Sequence, residues 1–229
     1  MKNLILVHGW AADSRIWEKQ REVLGDRANL WAPDLPVWEA DWLGQKLQDF
    51  DPAETILAGW SLGGMLALEV CAAGYRPRAL ITMAACASFC RRLDYGLGVA
   101  PAVVRGMRQR LKTSAGEVVE NFHRQLLARQ ESSWEEYLQN ILPCRGEPQR
   151  LAQGLQYLLT RDLREMLPRV GAEFLTIVQG ERDRIIAPAQ AYFLREHLHG
   201  ARLVMLPGTG HVPMISRSRE LNDLIAEFL

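Results

Sequence analysis

Ser61 lies in Gly59-Trp60-Ser61-Leu62-Gly63-Gly64, with a glycine two residues to either side. The run Thr55 to Ala58 before it reads as a strand, and the segment opening near Leu62 as a helix. A serine on the strained turn between a strand and a helix is presented outward for attack, and only small neighbours let the flanking backbones pass. A bare G-x-S-x-G arises by chance in about one chain in ten of this length, so context has to give the motif its meaning. Two matching elements elsewhere point to nucleophilic catalysis rather than a tight structural turn.

A serine hydroxyl is a poor nucleophile at its own pKa and needs a base, for which imidazole is poised near neutrality. Five histidines compete. His211 lies in Pro207-Gly208-Thr209-Gly210-His211-Val212-Pro213, a small-residue loop after the last strand that would swing its ring over the sheet edge. His197 and His199, at a polar helix end, read as solvated surface side chains, and His123 as structural or substrate-lining. His8, followed by Gly9 after the first strand, is assigned to shaping a loop.

The base in turn needs a carboxylate to accept its other N–H. Asp183 follows the strand Phe174 to Val178 through Gly180-Glu181-Arg182, and Ile186-Ala187-Pro188 then opens a helix. Glu181 is the local rival, placed nearer the strand where it would support the turn. Attack on an ester carbonyl develops an oxyanion, which fixed backbone N–H groups stabilise. The expected donors are the N–H groups of Leu62 and of Trp10 in His8-Gly9-Trp10. The Trp10 and Trp60 rings are expected either to wall an apolar channel or to pack in the core.

These residues need a scaffold. Six apolar runs, Leu4 to Val7, Asn29 to Ala32, Thr55 to Ala58, Ala79 to Met83, Phe174 to Val178 and Arg202 to Leu206, read as strands. Helix-length segments such as Leu62 to Ala73, Pro188 to His199 and Ser216 to Phe228 separate them, so the fold class is doubly wound α/β with a mostly parallel sheet. From about Ser88 to Glu165 only helical periodicity is found, punctuated by Gly96, Gly98, Pro101, Pro143, Gly146 and Pro148. It reads as a helical cap inserted into a single domain over the strand ends, where open α/β sheets place ligands.

The 229 residues are 48% hydrophobic, enough for one large core, and Lys plus Arg equals Asp plus Glu at 27 each. No whole-molecule field favours nucleic acid or a membrane surface. Basic residues are mostly arginine, with lysine at Lys2, Lys19, Lys46 and Lys112. Cys71, Cys86, Cys90 and Cys144 fit no metal spacing or disulfide framework and read as reduced buried thiols. With no signal-peptide core and no apolar span of bilayer length, a cytoplasmic protein is expected.

The chain resembles the α/β-hydrolases and, within them, the pimeloyl-[acyl-carrier protein] methyl ester esterases of biotin synthesis. The resemblance rests on His8-Gly9-Trp10, on Gly59 to Gly64, and on Gly154-Leu155 through Asp162-Leu163-Arg164. It continues at Gly180 to Asp183 and at Gly210-His211-Val212-Pro213-Met214-Ile215-Ser216. Ser61, Asp183 and His211 also follow the chain order of that fold. The sequence opens directly on the strand before His8, so the antiparallel strands that commonly precede it are not expected. After Asp34-Leu35-Pro36 the usual glycine-rich continuation is replaced by Val37-Trp38-Glu39-Ala40, which alters one pocket wall.

The resemblance implies hydrolysis of a methyl ester carried by an acidic acyl carrier protein, through an acyl-enzyme on Ser61, with no metal or other cofactor. Trp10, Trp60, Phe122 and His123 are the expected substrate contacts. Between Cys90 and Arg129 the chain has eight basic residues and three acids, a local balance of plus five. Arg105, Arg108, Arg124 and Arg129 are the expected carrier contacts, since arginine forks grip carboxylate and phosphate. The chain is expected to act as a monomer. Rival readings are a general short-chain carboxylesterase, an acyl-thioester hydrolase, or a catalytically idle α/β-hydrolase that binds an acyl ligand or a partner.

Overall fold

All six apolar runs pair as strands. The computed structural model describes residues 1–142 and 147–229. Strands β1 (Asn3–Val7), β2 (Asn29–Trp31), β3 (Thr55–Trp60), β4 (Ala79–Met83), β5 (Phe174–Gly180) and β6 (Arg202–Leu206) form one sheet in the order β2-β1-β3-β4-β5-β6. Every neighbouring pair is parallel. The chain winds outward from β1 to β2 and then crosses back to β3, so the order reverses between β1 and β3. Ligands of open α/β sheets bind outside the carboxyl ends of strands at such a reversal. His8-Gly9-Trp10 follows β1 there, and Ser61 follows β3.

Nine helices flank the sheet among the described residues: α1 (Glu18–Leu24), α2 (Ala40–Leu47), α3 (Leu62–Ala72), α4 (Pro101–His123), α5 (Glu135–Ile141), α6 (Pro148–Thr160), α7 (Pro188–His197), α8 (Pro213–Ser216) and α9 (Ser218–Ala226). β3 and β4 are buried at every position, as strands covered on both faces must be. α3 is likewise buried at all positions, which explains why Leu62 to Ala72 is apolar apart from Glu69, whose buried carboxylate accepts from the Tyr157 hydroxyl at 2.7 Å.

The segment between β4 and β5 carries helices and no named strand among its described residues. α4 bends at Ser114, whose backbone leaves the helical region (φ −145°, ψ 49°). Pro143, Cys144 and Gly146 lie outside the described residues. Cys71, Cys86 and Cys90 are buried and form no disulfide, and burial pushes the Cys71 thiol up to about 12. No described helix is long and apolar enough to cross a membrane.

Three details differ from the sequence reading. β3 and β5 run two residues past their apolar runs, because Gly59 and Trp60 pair with Thr82 and Met83, and Gln179 and Gly180 with Met205 and Leu206. The C-terminal helix is two helices, α8 and α9. Arg217 breaks them (φ −128°, ψ 37°) as its guanidinium reaches Thr209 Oγ1 and the Pro207 carbonyl. His197 is half-buried rather than fully solvated: it stacks on Phe193 at 4.0 Å between ring centroids and donates to the Phe193 carbonyl at 2.8 Å, since the i, i+4 spacing on α7 brings the two together.

Candidate active site

Ser61 is the residue that turns β3 into α3, and it does so at φ 54°, ψ −120°, a conformation that non-glycine residues rarely hold. The surroundings impose it: the Ser61 N–H donates to the Met83 carbonyl at 2.8 Å, and its carbonyl takes the N–H of Met65 at 3.1 Å. The flanking glycines are dictated by crowding. A Cβ on Gly59 would stand 2.6 Å from the Gly63 carbonyl oxygen, so the strand leaving and the helix returning touch backbone to backbone.

Two distant segments converge on this turn. His211 Nε2 lies 3.0 Å from Ser61 Oγ, and His211 Nδ1 lies 2.7 Å from Asp183 Oδ2. Asp183 and His211 side chains are fully buried, and Ser61 is 7% exposed. Nδ1 facing a carboxylate carries the proton, which leaves Nε2 free to accept from the serine hydroxyl. Asp183 is held from its other side by the N–H groups of Ile185 (2.8 Å) and Ile186 (2.9 Å) on Oδ1. Gln179 Nε2 donates to Oδ2 at 3.0 Å. Glu181 is exposed and reaches none of these groups. A hydroxyl bonded to an imidazole that is anchored by a buried carboxylate can lose its proton as it attacks a carbonyl.

The turn after β1 packs directly on the serine. A Cβ on Gly9 would stand 3.0 Å from Ser61 Cβ. His8 shapes this turn: its Nε2 accepts the Leu35 N–H at 3.1 Å, and its Nδ1 donates to the Gly9 carbonyl at 2.9 Å. Accepting at Nε2 requires neutral imidazole, and burial, opposed in part by the bond to Gly9, lowers its pKa to about 4. His123 ties the same turn to α4 through Nε2, 2.9 Å from the Ala11 carbonyl, and burial lowers its pKa. No hydrogen-bond partner takes the N–H of Trp10 or Leu62 among the described residues.

Both tryptophans are fully buried. Trp10 donates from Nε1 to the Leu151 carbonyl at 2.9 Å and meets Phe122 edge to face at 4.9 Å. Trp60 donates from Nε1 to the His211 carbonyl at 2.7 Å. Phe122 completes the surround, its ring edge-on to His211 at 6.5 Å. α6 joins them at Gly154, where a Cβ would lie 2.5 Å from Trp10 Cδ1 and 2.9 Å from Trp38 Nε1.

The stretch leaving α4 fixes the histidine loop, a relationship that sequence reasoning missed. His211 N–H donates to the Leu126 carbonyl at 2.7 Å. The buried Glu131 accepts with Oε2 from both Ala128 N–H (2.7 Å) and Gly210 N–H (2.8 Å). Glu131 gave no local signal, because Ala128 lacks the side chain of a recognisable capping pair. Gln179 did leave a trace, as a polar residue at the end of the otherwise apolar Phe174-Leu175-Thr176-Ile177-Val178.

Of the four arginines singled out for a partner, Arg124 is engaged on its own helix, with Glu120 at 2.6 Å and with Asn121. Arg105, Arg108 and Arg129 are exposed and make no ion pair among the described residues.

A sequence model of the alpha/beta hydrolase family matches residues 4–224, and the chain belongs to that family. It is a hydrolase. Among its relatives is the pimeloyl-[acyl-carrier protein] methyl ester esterase of Nitrosomonas europaea, 30% identical over 233 residues that span 93% of this chain and 90% of the relative. The enzyme of the same name from Stenotrophomonas maltophilia is 29% identical over 245 residues, covering 99% and 92%. Among solved structures, an esterase from Exiguobacterium antarcticum superposes with a TM-score of 0.88 at 19% identity, over 100% of this chain and 91% of that one. That likeness is one of fold.

Proposed function

We propose that the chain is a carboxylesterase that hydrolyses the methyl ester of pimeloyl-[acyl-carrier protein], releasing methanol and the free pimeloyl-carrier for biotin synthesis. The observation that carries the chemistry is the continuous contact from Ser61 Oγ through His211 to Asp183. The relatives' shared name, over nearly the full chain, supports the substrate.

In this reading Ser61 Oγ attacks the ester carbonyl while His211 Nε2 takes its proton, and Asp183 stabilises the imidazolium. The N–H groups of Leu62 and Trp10 hold the oxyanion. His211 then gives its proton to the departing methoxide, and methanol leaves a pimeloyl ester on Ser61. Water, deprotonated by His211, attacks that ester, and the free carboxylate departs as Ser61 regains its proton. Phe122, His123 and the two tryptophans shape the acyl site. The helical segment between β4 and β5 acts as a cap, and Arg105, Arg108 and Arg129 are its charges for the acidic carrier, with Arg124 joining them if it releases Glu120.

The test is hydrolysis of methyl-pimeloyl attached to carrier protein. Ser61→Ala is expected to lower the rate by about 10⁴- to 10⁶-fold in a folded protein. A folded variant with full activity removes Ser61 from the mechanism. Turnover of small esters by the unaltered protein, with the carrier-bound ester untouched, replaces the biotin assignment with that of a general carboxylesterase.

A further inference from the structure

Gln179 is fully buried at the end of β5, four residues before Asp183. Its Nε2 stands 3.0 Å from Asp183 Oδ2 and 3.2 Å from each of the Gly180 and Ile186 carbonyl oxygens. Three acceptors around one atom define it as the amide nitrogen. The other end of the amide is the anomaly: Gln179 Oε1 is buried without a hydrogen-bond partner. A buried orphan carbonyl weakens the fold, and a methionine of similar length would avoid that loss. The position holds a donor despite the penalty, so the donor's targets account for it.

Those targets are specific. Asp183 Oδ1 is occupied by two backbone N–H groups, whereas Oδ2 receives His211 Nδ1 and Gln179 Nε2. The same nitrogen spans Gly180 and Ile186, the two ends of the loop that carries Asp183. We infer that Gln179 is a positioning residue for the base, acting through Asp183. It locks the carboxylate rotamer so that Oδ2 faces His211, and it takes up part of the negative charge on Oδ2. This inference rests on the triad reading proposed above.

A shared carboxylate oxygen attracts a protonated imidazole less than an unshared one. Gln179 therefore moderates how strongly Asp183 draws on His211, as well as fixing which way the carboxylate faces. Loss of the donor has two separable effects: a less well oriented base, and one that stays protonated to higher pH. A residue that merely fills space at the end of β5 produces neither in a folded protein.

The experiment is Gln179→Met, with kcat and KM measured across pH on p-nitrophenyl acetate and folding checked by thermal melting. The acid limb of kcat/KM is expected to move up by about 0.5 to 1 pH unit. At neutral pH kcat should fall about 3- to 10-fold with KM within about twofold. In an Asp183→Asn background the same substitution should leave the limb where it was. An unmoved limb in folded Gln179→Met, or an equal shift without the aspartate, overturns the inference. Gln179→Leu carries the same readout where the methionine variant does not fold. Ser61→Ala, assayed alongside, keeps the two ideas apart: its loss of turnover upholds the triad, so an unmoved limb then counts against Gln179 alone.

Discussion

The indole N–H of Trp60 donates to the carbonyl of His211 at 2.7 Å, so the residue beside the serine grips the backbone of the residue that faces its hydroxyl. The two are 151 positions apart. The bond is buried on both sides, and its loss leaves a carbonyl with no water to replace the donor. Trp60→Phe keeps most of the ring and removes the N–H. It is expected to cost about 1 to 3 kcal/mol in urea unfolding. On a soluble ester kcat should fall about tenfold with KM little changed, the sign of a displaced base rather than a damaged binding site.

Glu131 supports the same loop. Because Oε2 accepts two N–H groups, one of them from Gly210, the acceptor matters more than the charge. Glu131→Gln is expected to keep kcat within about threefold, whereas Glu131→Leu leaves two buried donors unpaired and should lower stability by about 2 to 4 kcal/mol. Denaturant titration and ester turnover read the two variants side by side. Equal behaviour in both would remove the acceptor argument.

His8 makes stability depend on pH in a calculable direction. Its folded pKa, about 4, lies below the unfolded value of 6.5, so the unfolded chain binds the proton more readily. The contribution is full above pH 6.5, declines as pH falls below it, and is lost once pH passes about 4, amounting to about 3 kcal/mol across that window. Urea midpoints from pH 7.5 to 4 should decline accordingly. His8→Asn, though less stable throughout, should show a shallower decline, and parallel slopes would exclude His8 as the source.

At Gly154 no side chain fits. The nearest atoms to an added Cβ, Trp10 Cδ1 at 2.5 Å and Trp38 Nε1 at 2.9 Å, belong to rings whose N–H groups are bonded to the Leu151 and Arg150 carbonyls of α6. Neither ring can withdraw without breaking its bond. Gly154→Ala, normally favourable within a helix, should instead destabilise by about 1 to 3 kcal/mol in denaturant titration.

Sequence made legible whatever depends on local order. Ser61, Asp183 and His211 each sit just beyond a strand end, and strand, turn and helix signals lie within a few residues of them. The partners of those residues are a different matter. Glu131, Leu126 and the Trp60 N–H reach the histidine loop only because separate chain segments meet above the sheet, and no spacing in the sequence encodes that meeting. Element ends fared likewise: β3 and β5 extend because their neighbours continue the ladder, and Arg217 interrupts a helical pattern to satisfy carbonyl and hydroxyl oxygens in the preceding loop. Arg124 also pairs with the i, i+4 carboxylate of Glu120 on the exposed helix surface.

The bend of α4 at Ser114 divides that helix into two differently anchored halves. Its later half runs into His123, Leu126 and Glu131, each bonded to the loops around the serine, so this half is effectively part of the walls of the site. The earlier half, from Pro101, has no such moorings to those loops among the described residues. A substitution after Ser114 therefore reaches the reacting groups through those bonds, whereas one before it meets no such path among the described residues.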